Sequence, residues 1–185
     1  MKRSFIVAAL LILMSLSASA QKTQQNYVIG FYNLENLFDI YDVPVKNDSE
    51  FLPEGKNKWT QAKYEKKLHN MAKVIRAMAD NNKRWHTILG ISEIENRLVI
   101  EDLVSQPEIA DANYEIVHYD SPDRRGVDVA LLYKPDQFTY LDSESIPFDF
   151  NSDIDFSDTD TSYFKTRDIL MVHRSEERRV GKECR

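Results

Sequence analysis

Thr87-Ile88-Leu89-Gly90-Ile91-Ser92-Glu93 decides the reading of this chain. Five mostly apolar, β-branched-rich residues predict a buried strand, and the run ends on a polar pair, Ser92 and Glu93. Upstream, Tyr27-Val28-Ile29-Gly30-Phe31-Tyr32 has the same character and stops at Asn33. Between them, residues 62–80 hold the clearest helical pattern. Tyr64, Leu68, Met71, Ile75 and Met78 recur at spacings of four and three, which places them on one face. Lys63, Lys66, Lys67, Lys73 and Arg76 fall on the solvated side, His69 falls near the edge of the apolar face, and Thr60 is positioned to cap the helix.

Residues 96–105 predict a second helix, with Leu98, Ile100, Leu103 and Val104 directed inward and Asn96 as its cap. Strands are expected at 114–119 and 127–133, at 138–146, and from Asp168 to Val172. Strand, helix, strand, helix and then consecutive strands make an α/β layout with a mixed sheet. Residues 39–60, with Pro44, Pro53 and Gly55, form a long loop of the length that is usually functional or mobile. A second, acidic loop is expected from Phe148 to Asp160.

The two ends read differently from the body. Lys2 and Arg3, an apolar run from Phe5 to Leu16, and Ala18-Ser19-Ala20 have the three-part layout of a secretory signal peptide. Cleavage is expected after Ala20, with a periplasmic or secreted product. A membrane anchor needs about 18–20 apolar residues, and Ser15 and Ser17 interrupt this run. No stable membrane insertion is expected. After Val172, the basic stretch 173–185 abandons the strand just begun and reads as a non-native tail after truncation, the alternative being an ordinary basic terminus. The domain itself is then expected over residues 21–172.

The chain carries 24 basic and 30 acidic residues, and removing both ends leaves a body of net charge −10. Such a body attracts polyphosphate poorly by itself, because non-specific binding draws on Lys and Arg. With 42% hydrophobic and 29% charged residues, the composition is that of a globular domain. The single cysteine, Cys184, excludes an internal disulfide, so the fold must rest on its core.

Three oxygen-bearing side chains fall at predicted strand ends. Asn33 and Glu35 are two residues apart, which in extended backbone puts them on one face, and Glu93 closes the second strand. The carboxyl ends of strands in open α/β sheets are where ligands bind. Two carboxylates and an amide oxygen suit a hard cation such as Mg²⁺, which can polarise a phosphoryl oxygen. Equally, such residues can simply begin surface turns. A second cluster is Ser121-Pro122-Asp123-Arg124-Arg125-Gly126-Val127-Asp128. Arg125 has the planar fork that grips a phosphate. Asp128, before an apolar strand, must either be paired, with Arg125 or Arg124, or face the cleft, since an unpaired buried charge is costly.

Three segments taken in order, Phe31-Tyr32-Asn33-Leu34-Glu35-Asn36-Leu37-Phe38-Asp39, Leu89-Gly90-Ile91-Ser92-Glu93-Ile94-Glu95-Asn96-Arg97 and residues 121–133, resemble the endonuclease/exonuclease/phosphatase superfamily in its exported bacterial branch. The resemblance spans about Tyr27 to Val172. It implies a four-layer sandwich of two mixed β-sheets flanked by helices, and phosphoester hydrolysis with Mg²⁺ or Mn²⁺. It implies that Asn33, Glu35 and Glu93 surround the metal, with Glu93 the principal ligand although Ser92 replaces the usual preceding glutamine. It places Asn33, Glu93, Arg125 and Asp128 among the catalytic residues, the last two where relatives contact phosphate.

The family also uses a Gly-Asp-x-Asn-Asp segment to position the attacking water and a late His paired with an Asp. Neither occurs here: the histidines are His69, His86, His118 and His173, none in a matching context. The reading is therefore an exported nuclease or related phosphodiesterase, represented by its N-terminal portion and inactive as this chain. Cleavage of a phosphodiester by the purified chain with Mg²⁺, lost in Glu93→Ala, would contradict the inactivity. The partner is nucleic acid or another phosphodiester, and the full-length protein is expected to be a monomer. Alternatives are a lipid or sugar-phosphate phosphatase and a non-catalytic envelope-binding module. Missing its second sheet, the chain is expected to expose apolar faces such as Val127 to Tyr133.

Overall fold

The computed structural model describes residues 26–44, 46–148 and 165–175. Residues 1–25, where a signal peptide is expected, nearly all of the acidic loop expected after Phe148, and residues 176–185 lie outside the described residues. In chain order the elements are β1 (Ile29–Leu37), α1 (Gln61–Asn82), β2 (Ile88–Ile94), α2 (Arg97–Val104), β3 (Glu115–His118), β4 (Asp128–Tyr133), β5 (Tyr140–Ile146) and β6 (Ile169–Arg174). A four-stranded sheet has the order β1-β2-β4-β3, and β5 pairs with β6 in a separate ribbon. β1 and β2 are parallel, whereas β4 runs antiparallel to both β2 and β3. The fold is α/β with a mixed sheet, as the sequence predicts.

Both helices cover one face of the large sheet. Tyr64, Leu68, Met71 and Ile75 of α1 meet Leu89, Ile91, Ala130 and Leu132 of the strands in one core, which Val99, Ile100 and Leu103 of α2 complete. The predicted stripe of α1 is thus the buried one, with Met78 half-buried at its end. On α2 the reading needs a correction: Leu98 is 42% exposed, and Val99 takes the inward position. Asn96 caps α2 by accepting from the Val99 N–H at 3.1 Å. Thr60 sits at the N-cap of α1 but makes no side-chain cap bond.

The opposite face is unevenly covered. β4 is not the exposed strand, because Val127, Ala130 and Leu132 are buried and Val129, Leu131 and Tyr133 half-buried. Tyr119 donates to the Ser143 carbonyl at 2.9 Å, and Leu170 of β6 shares a small enclosed space with Val129. The open residues belong instead to β1, an edge strand, where Ile29 is 73% and Phe31 66% exposed. Burial of the first strand therefore holds on one face only. At the other end of the chain, β6 does not stop at Val172: His173 and Arg174 continue the ladder opposite Asp142 and Tyr140. Among the described residues no helix is long and apolar enough to cross a membrane.

The long loop is held by its own polar side chains. Asp48 is buried and accepts from the Val43 N–H at 2.9 Å. Phe38 and Phe51 stack with ring centroids 4.2 Å apart, and Trp59 packs edge-on against Phe51 while its Nε1–H donates to the Phe38 carbonyl at 2.9 Å.

Candidate active site

β1 and β2, the parallel pair, break their geometry at the same end of the sheet. β1 and β2 pair in register from Ile29↔Ile88 to Asn33↔Ser92, and the register then shifts before Leu37. Glu35 (φ 50°), Asn36 (φ 61°) and Glu93 (φ 60°) all take left-handed backbone. Non-glycine residues adopt that region rarely and at a cost, and such residues concentrate at functional sites. The sequence offers no signal for this, since none of the three is glycine.

The bulge corrects the expectation that Asn33 and Glu35 share a strand face, because strand alternation does not survive a left-handed residue at Glu35. The Asn33 Oδ1 accepts the Glu35 N–H at 2.8 Å, and Glu35 lines a groove beside α1 with Tyr32 and Lys67. Lys67 secures the bulge from below, donating from Nζ to the Glu35 carbonyl at 2.5 Å and the Asn36 carbonyl at 2.9 Å. Burial pulls the Lys67 ammonium below its ordinary pKa, against the opposing pull of Glu35 and Glu93.

Glu93 is the centre of the site. Its Oε1 lies 2.9 Å from Arg125 Nη2, and the same nitrogen donates to Asn36 Oδ1 at 3.0 Å. Burial pushes the Glu93 carboxyl up, but the Arg125 guanidinium, a hydrogen bond from Asn33 and the charge of Arg167 together hold it below the ordinary value. Glu93 is therefore ionised at neutral pH, as a metal ligand must be. With its oxygen engaged by Glu35, Asn33 turns its amide donors to Glu93 and so orients the carboxylate. A carboxylate has about four lone-pair positions; Arg125 and Asn33 leave capacity for a cation that needs one or two carboxylates and keeps its waters. The residues fit a divalent cation that Glu93 would hold, with Glu35 a second carboxylate acting on the shared neighbour Lys67.

Arg125 is fixed from its own turn. Its N–H donates to Asp123 Oδ1 at 2.8 Å, and Arg167 lies 3.7 Å from the other Asp123 oxygen. Gly126, at φ 70°, supplies the left-handed step into β4 that a side chain would strain.

Asp128 is paired, but with neither arginine. Its Oδ1 accepts from the Ser121 N–H at 2.9 Å and from Ser121 Oγ at 2.6 Å. His118 Nε2 is 3.3 Å and Lys46 Nζ 3.6 Å from its Oδ2. Burial raises the Asp128 pKa, yet His118, Ser121 and Lys46 outweigh it and the net shift is downward. With both oxygens engaged and the residue 1% exposed, Asp128 clasps the 120–128 turn rather than facing open solvent. The aspartate bridges Ser121 and His118, so the serine has no imidazole to activate it. His118, Asp120 and Asp128 bring ligand-type atoms within 4.8 Å of one another, but Lys46 already supplies the cation, 3.4 Å from Asp120.

Glu95, which beside Asn96 suggests only a helix cap, is a buried acid. It is 1% exposed; Oε2 accepts the Asp39 N–H at 2.9 Å, while Oε1 has no partner. Burial raises its pKa to about 7, with Asp39 and Asp48 adding to the rise and the Asp39 N–H and Lys46 opposing it. Asp39 in turn accepts from Asn96 Nδ2 at 2.9 Å, and Lys46 donates to the Glu95 carbonyl. The loop, β2 and α2 are thereby tied together directly behind Glu93. No spacing in the sequence marks Asn36 or Lys46, and the periodicity of α1 places Lys67 only on its solvated face.

No curated protein and no solved structure matches the chain. The model of the Endonuclease/Exonuclease/phosphatase family does match, over residues 28–179, a span that takes in β1, both helices and the Glu93 and Arg125 segments. The chain belongs to this family of phosphoester hydrolases.

Proposed function

We propose that the protein is an exported phosphodiesterase that works with Mg²⁺ or Mn²⁺ and acts on nucleic acid. The observation that carries this reading is Glu93, held ionised at the end of β2 by Asn33 and Arg125. The bound metal would supply Lewis-acid polarisation of a phosphoryl oxygen. Asn33 orients the Glu93 carboxylate, and Arg125 stands where a phosphate drawn to Glu93's cation would meet a guanidinium. The layout of residues 1–20 supports export to the periplasm or beyond.

The sequence contains neither a Gly-Asp-x-Asn-Asp segment nor a matching late histidine, so metal binding is a more direct test than turnover. Calorimetric titration of the chain with Mn²⁺ should reveal a site that Glu93→Gln weakens by more than about tenfold, the least expected when a ligand or its support is lost. Circular dichroism checks that the variant folds. Equal Mn²⁺ affinity in the folded variant overturns the reading.

A further inference from the structure

The basic residues of this acidic protein are not spread evenly. α1 presents Lys63, Lys66, Lys67, Lys73 and Arg76 against only Glu65 and Asp80. Lys63, Lys66 and Lys67 line one groove with Tyr32, Glu35, Trp59 and Asn70, about 360 Å³ in volume. Among the described residues, the lysine–carboxylate ion pairs involve Lys46, Lys56 and Lys134, and none of the groove lysines. Three cations against the single carboxylate of Glu35 leave the groove with an excess of positive charge, on a chain of formal net charge −6, and that excess is complementary to an anion from outside.

The groove also has a direction. Its inner end is Lys67, bonded to the backbone of Glu35 and Asn36; Asn36 holds Arg125, and Arg125 holds Glu93. Its outer side follows the helix past Lys66 and Asn70 toward Val74. From Lys63 to Val74 the helix rises about 16 Å, at 1.5 Å per residue. That length exceeds what one phosphate group needs and suits a run of backbone phosphates instead. Tyr32 and Trp59 add aromatic surface, and Trp59 is locked by its bond to Phe38 and its edge contact with Phe51. Cationic side chains beside fixed rings are the general means by which proteins hold single strands: charge on the backbone, stacking on the bases. A membrane surface fits less well, since the groove has no projecting large apolar side chain beyond Val74, itself 40% exposed.

We propose that the Lys63–Lys66–Lys67 groove, with Tyr32 and Trp59, is a track for a nucleic-acid single strand leading to Glu93. The inference rests on the phosphodiesterase reading and names its substrate as a polymer rather than a small phosphoester.

The test is fluorescence anisotropy of a labelled single-stranded oligonucleotide with the chain, in EDTA and across a salt series. Lys63→Ala/Lys66→Ala, both exposed positions, should weaken binding and lower the salt slope by about 1.4, at roughly 0.7 per lost phosphate contact. A charge-matched variant away from the groove, Lys56→Ala/Arg97→Ala, should bind as the parent does. Parental affinity and slope in the groove variant overturn the proposal. So does lysine-dependent binding to phosphatidylserine vesicles by a chain that ignores the oligonucleotide, and so does the absence of any oligonucleotide binding. Because metal is excluded, lysine-dependent binding alongside a Mn²⁺ affinity indifferent to Glu93 would retain the track and reject the reading it rests on.

Discussion

Arg125 Nη2 lies 2.9 Å from Glu93 Oε1, so the guanidinium holds the carboxylate that the fold presents at the end of β2. The pair joins two segments that are far apart in the chain, the end of β2 and the turn before β4. Its geometry explains how an acid in a partly desolvated position stays charged without an ion: Arg125 and Asn33 supply the compensation. Any cation at Glu93 therefore shares or displaces an existing positive partner.

Arg125→Ala should tighten Mn²⁺ binding and loosen phosphate. The Arg125 side chain is 51% exposed, and such pairs contribute only about 0.2–1 kcal/mol. Removing the competitor should lower the Mn²⁺ dissociation constant by no more than about fivefold. Inorganic phosphate binding in the presence of Mn²⁺ should fall, since its bidentate partner is gone. Calorimetry on both ligands checks the two opposite signs; weaker Mn²⁺ binding in the variant contradicts the arrangement.

Asp128 and Glu93 should separate cleanly by assay. Asp128→Ala leaves Lys46 and His118 without their shared carboxylate and unfastens Ser121. Breaking a buried pair in this way costs about 3–5 kcal/mol, read as a lower urea midpoint. Metal affinity in the fraction that remains folded should be unchanged. A stable Asp128→Ala chain with lost Mn²⁺ binding would instead place Asp128 at the metal site.

The elements were legible wherever periodicity is set by burial. The Tyr64–Leu68–Met71–Ile75 stripe and the run before Glu93 report directly on a core that covers them. What escaped depends on the third dimension. Ile29 and Phe31 look like core residues, and only the position of β1 at the sheet edge leaves them open. Leu98 and Val99 are adjacent apolar residues, and the helix can bury only one of them fully. The left-handed turns at Glu35, Asn36 and Glu93 carry no glycine to announce them. Asn33, Glu93 and Arg125 could be named from motifs, whereas Lys67 and Asn36 gain their roles from backbone and amide contacts no spacing rule encodes.

Gly30→Ala should destabilise the fold although glycine here adopts ordinary backbone. A Cβ would fall 2.6 Å from His86 Cδ2 and 3.0 Å from Leu89 Cδ1. His86 is buried and has little room to retreat, so overpacking of about 1–3 kcal/mol is expected. Thermal unfolding of Gly30→Ala checks this, and Gly30→Ala/His86→Ala should recover part of the loss by opening the space.

Glu95 gives stability a dependence on pH whose sign can be worked out. Its pKa is about 7 folded against an ordinary 4.5, so the folded chain binds the proton more tightly than the unfolded one. Below the unfolded value both states are protonated and burial carries no charge penalty. As pH rises from about 4.5 to about 7 the unfolded state ionises first, and stability falls by roughly 3 kcal/mol before levelling off. Glu95→Gln keeps an oxygen for the Asp39 N–H and removes the titration. The urea midpoint of the parent should therefore drop between pH 5 and 7 relative to that of the variant, with the variant the more stable at pH 8. Parallel midpoint curves for the two proteins would show that Glu95 ionises in the folded chain as freely as in water.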